Sequence, residues 1–262
     1  MNIVFNFKNQ VSFRGDNITD LKMLKISIKQ WLKYYKPGFK DVFICGHYNK
    51  EELDELISSL GSSFINDNKL KIVNIEFIPS IFKTSKTNIV NYQMMAMWSY
   101  TKEPFIMGTN DIFPINLTDD TYLNKEYSIR HKDYRELNIP DLNKAPWFLV
   151  NWINTIEYFK YKYNFFNKEI YEGHNAYVVT KEFMDFYMKD PELWINKDRD
   201  VVLSLWLKMN GHDLMHEEEF CKPIFANNKL QISNDDIKRL KMINATLPNH
   251  PKSKKILKRI IK

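Results

Sequence analysis

The groups in this sequence best able to hold a cation or move a proton fall in a few short segments. In FIMGTNDIFPI, Asn110 and Asp111 stand between an apolar run and a second apolar turn, so an ionised Asp111 would be exposed at a strand end. Its hard oxygens suit Mg²⁺ or Mn²⁺, which takes one or two protein carboxylates and completes its shell from phosphate oxygens. The same dipeptide is also ordinary turn chemistry. Asp198-Arg199-Asp200 supplies two more carboxylates and reads equally as a helix N-terminus. A helix beginning near Asn88 would aim backbone N–H groups and its positive end at an anion, with Lys86, Asn88, Asn91 and Gln93 beside it. Asn88 also serves as a plain N-cap. His212 and His216 have the four-residue spacing of a helical metal pair, but Gly211 argues against a helix there and no zinc site follows.

The elements that must position these groups alternate. Ile3 to Phe7 is a short apolar strand, followed by a loop through Arg14-Gly15-Asp16-Asn17. From Thr19, Leu21, Leu24, Ile28, Trp31 and Leu32 recur at helical spacing up to Pro37-Gly38, and Asp41 to Cys45 is a second strand. Strand, helix and strand in so short a stretch make a βαβ unit. A helix over 51–60, a strand over 70–75, a Met-rich helix over 88–100 and a strand over 104–108 continue the alternation of an α/β fold. That last strand runs directly into Asn110-Asp111, and in open α/β sheets ligands bind beyond the carboxyl ends of the strands. Beyond Pro114 the pattern predicts helices over 147–163, 181–188 and 199–210, and a strand within 171–179. Met94, Met95, Met97 and Trp98 read as core. Trp152, Tyr158, Phe159, Tyr161 and Tyr163 read as packing, with an acceptor-stacking face as the alternative.

The totals narrow the class. At 262 residues and 44% hydrophobic, the chain can build one large core; residues 1–250 read as a single domain with halves 1–115 and 116–250. Two cysteines outside any CxxC pair point to a reducing compartment. No apolar run approaches a signal sequence or the ~18 residues of a membrane span, so the expected location is the cytoplasm. The net charge of +6 resides in Lys252, Lys254, Lys255, Lys258, Arg259 and Lys262, a tail over 251–262 that reads as a basic amphipathic surface helix with Ile256, Leu257, Ile260 and Ile261 on one face. The Walker phosphate loop, GxGxxG, GxSxG and HExxH are all missing, which argues against the common nucleotide triphosphatases, Rossmann oxidoreductases, α/β-hydrolases and zinc proteases.

The order of these pieces resembles GT-A-like glycosyltransferases encoded by bacteriophages, distantly similar to Stealth-type hexose-phosphate transferases. The match is carried by Asp20-Leu21-Lys22-Met23-Leu24-Lys25-Ile26-Ser27-Ile28, then DVFIC, then Asn88-Ile89-Val90-Asn91-Tyr92-Gln93, then Phe105 to Asp111, with a [YF]-E-x-H segment at Tyr171 to His174. It covers residues 1–115 and, less fully, 165–210. Lys25 stands where the helix pattern has leucine, and Asn110-Asp111-Ile112 offers one acid where the pattern has two.

The resemblance implies a GT-A-like Rossmann-type mixed sheet flanked by helices, with a helical, aromatic-rich second half. It implies a nucleoside-diphosphate sugar as donor, with Asn6, Arg14 and Asp16 near the base and ribose; an Asx-turn with a solvated arginine is the plainer account of that loop. Lys86, Asn88, Asn91, Gln93 and Asn110 would face the sugar or diphosphate. Asp111 and His174 would hold Mn²⁺ or Mg²⁺, and Glu172 or Asp200 would be the general base; His174 is otherwise a structural histidine. A phage kinship and the basic tail (Lys254, Lys255, Lys258, Arg259, Lys262) make a hydroxylated base in DNA the leading acceptor. A membrane-surface glycan or a virion protein is the alternative. Stealth-like sugar-phosphate transfer, and a non-catalytic nucleic-acid or host-interaction protein on a degenerate transferase scaffold, are the competing functions.

Overall fold

The computed structural model describes residues 1–7, 19–35, 37–82, 86–110, 112–116, 126–128, 132–133, 147–167, 169–170, 177–212, 214–216, 221–223, 225–226, 229–230, 232–244 and 258. In chain order the first half contains β1 (Asn2–Asn6), α1 (Thr19–Tyr34), β2 (Val42–Gly46), α2 (Lys50–Leu60), α3 (Ser62–Asp67), β3 (Leu70–Asn74), α4 (Lys86–Thr101), β4 (Phe105–Gly108) and β5 (Ile112–Pro114). The second half contains β6 (Glu126–Ser128), β7 (Lys132–Asp133), α5 (Trp147–Tyr163), β8 (Glu169–Ile170), β9 (Tyr177–Val179), α6 (Lys181–Lys189), α7 (Pro191–Asn196) and α8 (Arg199–Met209). Then follow β10 (Leu214–His216), β11 (Cys221–Pro223), β12 (Phe225–Ala226), β13 (Lys229–Leu230), α9 (Asn234–Arg239) and β14 (Met242–Asn244).

The main sheet has the order β3-β2-β1-β4-β9. Its first four strands are parallel, with Ile3 opposite both Val42 and Ile106, while β9 runs antiparallel to β4. β1, β2 and β4 are apolar runs because helices cover both faces of a central parallel strand; Ile3, Val4 and Phe5 are fully buried. One face carries Ile3, Phe5, Val42, Ile44, Ile106 and Val178 against the Leu24, Ile28 and Trp31 stripe of α1 and against Leu56 and Leu60 of α2. The other carries Val4, Phe43, Cys45, Phe105, Met107 and Tyr177 against α4, α5, α6 and α8.

Local chemistry starts and stops the helices. α2 opens on a capping box in which Asn49 Oδ1 accepts from Glu52 N–H at 2.8 Å and Glu52 returns the favour to Asn49 N–H at 2.9 Å. α7 opens on Asp190, whose Oδ1 accepts from Glu192 N–H, with Pro191 in the first turn. Asp190 Oδ2 also accepts from the Tyr158 and Tyr163 hydroxyls at 2.7 and 2.5 Å, tying α5 to α7. Burial alone would raise the Asp190 pKa, but these phenol donors and the Glu192 N–H outweigh it and hold the carboxyl below its usual value.

The structure departs from the sequence reading in several places. α4 begins at Lys86, so Asn88 lies inside its first turn. The six-residue helices α3, α7 and α9 were not expected, nor was β14 within the polar stretch after Asn227. That stretch is partly core: Ile232, Leu240, Met242 and Ile243 are buried. Leu214–His216 is a strand and Gly211 has φ 78°, in line with the view that the two histidines do not share a helix. Of the basic tail only Lys258 is described, helical and exposed. No described helix is long and apolar enough to cross a membrane.

Candidate functional site

The carboxyl ends of β1, β2 and β4 converge where the strand order reverses between β1 and β4, the place an open α/β sheet offers a ligand. At the end of β4 the backbone passes close to β1: a Cβ on Gly108 would lie 2.8 Å from the Phe5 ring. The turn that follows is held from three sides. Thr109 Oγ1 accepts from Ile112 N–H at 3.1 Å, and Ser27 of α1 donates its hydroxyl to the Thr109 carbonyl at 2.8 Å. On the far side β5 pairs antiparallel with β14, Phe113 opposite Ile243. Lys241 O accepts from Ile115 N–H at 2.9 Å. Asn110 is half-buried in this turn, and Asp111 lies outside the described residues. The serine of the α1 motif therefore has a definite task, bracing the segment that carries the acid.

Asn6 ends β1, paired with Cys45 of β2. Among the described residues, both its amide atoms are buried without a hydrogen-bond partner. Such a group costs about 1–3 kcal/mol unless something satisfies it, which suits a residue kept for a ligand. Beside it, Cys45 is fully enclosed and burial pushes its thiol pKa up to about 12, so it is no nucleophile.

α4 follows β3 and leads into β4, so its first turn lies at the same edge of the sheet. The backbone places Lys86 and Asn88 in that turn, where free N–H groups gather. Asn91 and Gln93 do not share a side of the helix. Two residues apart they point to opposite faces, both buried, and Asn91 donates its amide to Trp194 O at 3.3 Å while its Oδ1 has no partner among the described residues. One ligand on one side of α4 therefore does not meet both, since each side chain is buried on its own face of the helix.

At the start of β9, Tyr177 sits opposite Met107 of β4. The Arg199 guanidinium lies over its ring, 5.3 Å from the centroid, and donates from Nε and Nη2 to Asp200 Oδ1 at 3.0 and 2.7 Å. Burial would lower the Arg199 pKa, but the Asp200 carboxylate beside it outweighs burial and raises it. Asp198 caps α8 by accepting from Asp200 N–H and Val201 N–H. The helix-terminus reading of this triplet is the one observed, and it engages Oδ1 of Asp200 with the guanidinium. An oxygen already taking two guanidinium N–H groups is not offered to an acceptor hydroxyl.

Arg14, Asp16, Glu172 and His174 lie outside the described residues, as do Lys254, Lys255, Arg259 and Lys262. Among the described residues no group of three or more His, Cys, Asp or Glu could hold a metal ion.

No family model matches the sequence, and no curated protein matches it. Among solved structures, the galactosyltransferase LgtC in complex with donor and acceptor sugar analogs aligns over 100% of this chain and 95% of its own, at 10% identity and a TM-score of 0.51. The fold is that of the GT-A glycosyltransferases. The apo bifunctional glycosyltransferase WbbM aligns over 95% of this chain and 46% of its own, at 10% identity and a TM-score of 0.48. A glycosyltransferase involved in glycosylation of the major capsid of PBCV-1 covers 100% of this chain and 98% of its own, at 8% identity and a TM-score of 0.39. With this GT-A fold, β1 to β4 and the braced turn after β4 form the edge that carries Asn6, Asn110 and the first turn of α4.

Proposed function

We propose that this protein moves a sugar from a nucleoside-diphosphate sugar to an acceptor hydroxyl. The observation that carries the reading is the turn Thr109–Ile112, fixed at the carboxyl end of β4 by Ser27 and Thr109 beside the unpartnered Asn6 amide, in a GT-A fold. Asn6 with Arg14 and Asp16 would take the nucleoside, and the first turn of α4, with Lys86, Asn88 and Asn110 near it, would face the diphosphate. The chain's donor set for a cation is one carboxylate and one imidazole, Asp111 and His174. That pair suits Mn²⁺ or Mg²⁺ sharing its shell with diphosphate oxygens, and the orphaned Asn6 amide at the same edge fits a polar ligand there. When bound, the ion would neutralise charge developing on the leaving diphosphate. Glu172, or Asp200 through Oδ2, would take the acceptor proton.

Thermal-shift measurements against UDP-, GDP- and CMP-sugars, with and without Mn²⁺, test the reading. One donor should raise the melting temperature, more so with the ion; silence from all of them would favour the non-catalytic scaffold. Replacing Asp111→Asn should lower kcat by about 10²-fold in a nucleotide-release assay. Release of a nucleoside monophosphate in place of the diphosphate would favour Stealth-like sugar-phosphate transfer. For the acceptor we propose hydroxylated DNA, on the strength of the basic tail and its exposed, helical Lys258. Deleting residues 252–262 should weaken duplex binding and flatten its salt dependence. Loss of binding to anionic vesicles instead would point to a membrane-surface glycan.

A further inference from the structure

We infer that His47, at the carboxyl end of β2, receives a ribose hydroxyl of the donor nucleotide; the inference rests on the reading of the site as nucleotide-binding. His47 Nδ1 stands 2.5 Å from the carbonyl oxygen of Ile75. A carbonyl only accepts, so Nδ1 carries the hydrogen and Nε2 of the neutral ring carries the lone pair. The described residues give Nε2 no partner, and the ring is half-buried.

The loop bearing this ring is rigid. Gly46 admits no side chain, because a Cβ would run into the Tyr48 ring and the Phe7 carbonyl. The Tyr48 hydroxyl donates to that same carbonyl. Asn74, ending β3, clasps the Tyr48 backbone on both sides, accepting from its N–H at 2.9 Å and donating to its carbonyl at 3.0 Å. Asn49 then starts α2 with its capping box. The neighbouring polar side chains Asn49, Glu52 and Asn74 are therefore committed to the fold, and Nε2 is the acceptor left over. It stands on the strand beside Asn6, whose amide is unpartnered. In βαβ nucleotide folds an acceptor that follows the first strand and helix takes the ribose hydroxyl. No carboxylate ends β2 here, and the pinned imidazole supplies the lone pair instead.

Isothermal titration of the full chain with UDP, GDP and CDP, and with the 2′-deoxy and 3′-deoxy forms of whichever binds, tests this. Removing the correct hydroxyl should weaken wild-type binding about five-fold, the scale of one neutral hydrogen bond. His47→Asn keeps the anchor to Ile75 O but deletes the Nε2 lone pair; it should bind the ribonucleotide as weakly as wild type binds the deoxy form, and should not distinguish the two. His47→Gln, whose Oε1 reaches toward the Nε2 position, should regain part of the loss. If His47→Asn binds like wild type with its deoxy sensitivity intact, the assignment of His47 is overturned while nucleotide binding stands. If wild type binds none of the three diphosphates, the donor reading itself fails and takes this inference with it.

Discussion

The two faces of the main sheet are closed by different means. Over Ile3, Phe5, Val42 and Ile44, helices α1 and α2 lie as regular amphipathic stripes, each following the strand it covers within one βαβ step. Over Val4, Phe105, Met107 and Tyr177, α4 comes from the first half and α5 to α8 from the second, and polar groups are sealed in with them: Asn91, Thr155, Ser204, Tyr187 and the Arg199–Asp200 pair. Among the described residues, Asn91 Oδ1, Tyr187 Oη, Trp194 Nε1 and Arg199 Nη1 are buried there without a partner, as are the Gln30 amide and Trp31 Nε1 of α1. Each such group costs free energy that an apolar replacement avoids. The two faces therefore differ less in unpartnered groups than in origin: the first is covered by helices of its own βαβ steps, and the second draws on both halves of the chain and holds the Arg199–Asp200 pair.

The largest effect that could break this contrast is at the half-buried Arg199–Asp200 ion pair. Asp200→Ala strands the Arg199 charge and should cost about 4 kcal/mol in urea unfolding. A double change of Arg199→Met with Asp200→Leu should recover nearly all of that. If the single change is mild, the second face is not held by charge. Next comes the first face, where Ile28→Ala should cost about 3 kcal/mol by the same measurement, a loss of packing alone, with kcat unchanged in the folded fraction. Ser27→Ala removes one bond worth about 1 kcal/mol but loosens the Thr109 turn, so kcat should fall more than stability does. An unchanged kcat would separate that brace from the chemistry.

The smallest effect is one of pH. The lowered Asp190 pKa means that its contribution is complete above the ordinary value of 3.8 and is lost as pH falls below it. Asp190→Asn should therefore lower stability at neutral pH and flatten the acid limb of a stability-versus-pH profile. A steeper acid limb in the variant would contradict the assignment.

Much of the first face was legible in the residues, because Leu24, Ile28 and Trp31 keep helical spacing and β1, β2 and β4 are unbroken apolar runs. α5 was read over its full length for the same reason. The short helices were missed although their caps are written out, Asp190-Pro191-Glu192 before α7 and Ser233 to Asp236 before α9. Six residues hold too few apolar positions for a period to show. β14 escaped because a three-residue strand declares itself only through its partners, here β5 and β11. At the site, Asn110 was singled out from its place at a strand end and Asn6 only through the family resemblance. The hydroxyl bond from Ser27 to Thr109 and the tautomer of His47 could not be read from the residues, since each depends on a carbonyl that tertiary packing brings near.

The pairing of β14 with β5 has a consequence for how the protein is made. Synthesis runs from the N-terminus, and the parallel strands β1 to β4 can assemble while the ribosome is still decoding the second half. Residues 112–114 must wait for 242–244 before their antiparallel ladder can close. An incomplete nascent chain, or one clipped ahead of Met242, would carry a folded sheet with its acid-bearing turn unsupported on that side. The support that β14 gives this turn is thus gained late in translation, after the parallel strands are already in place.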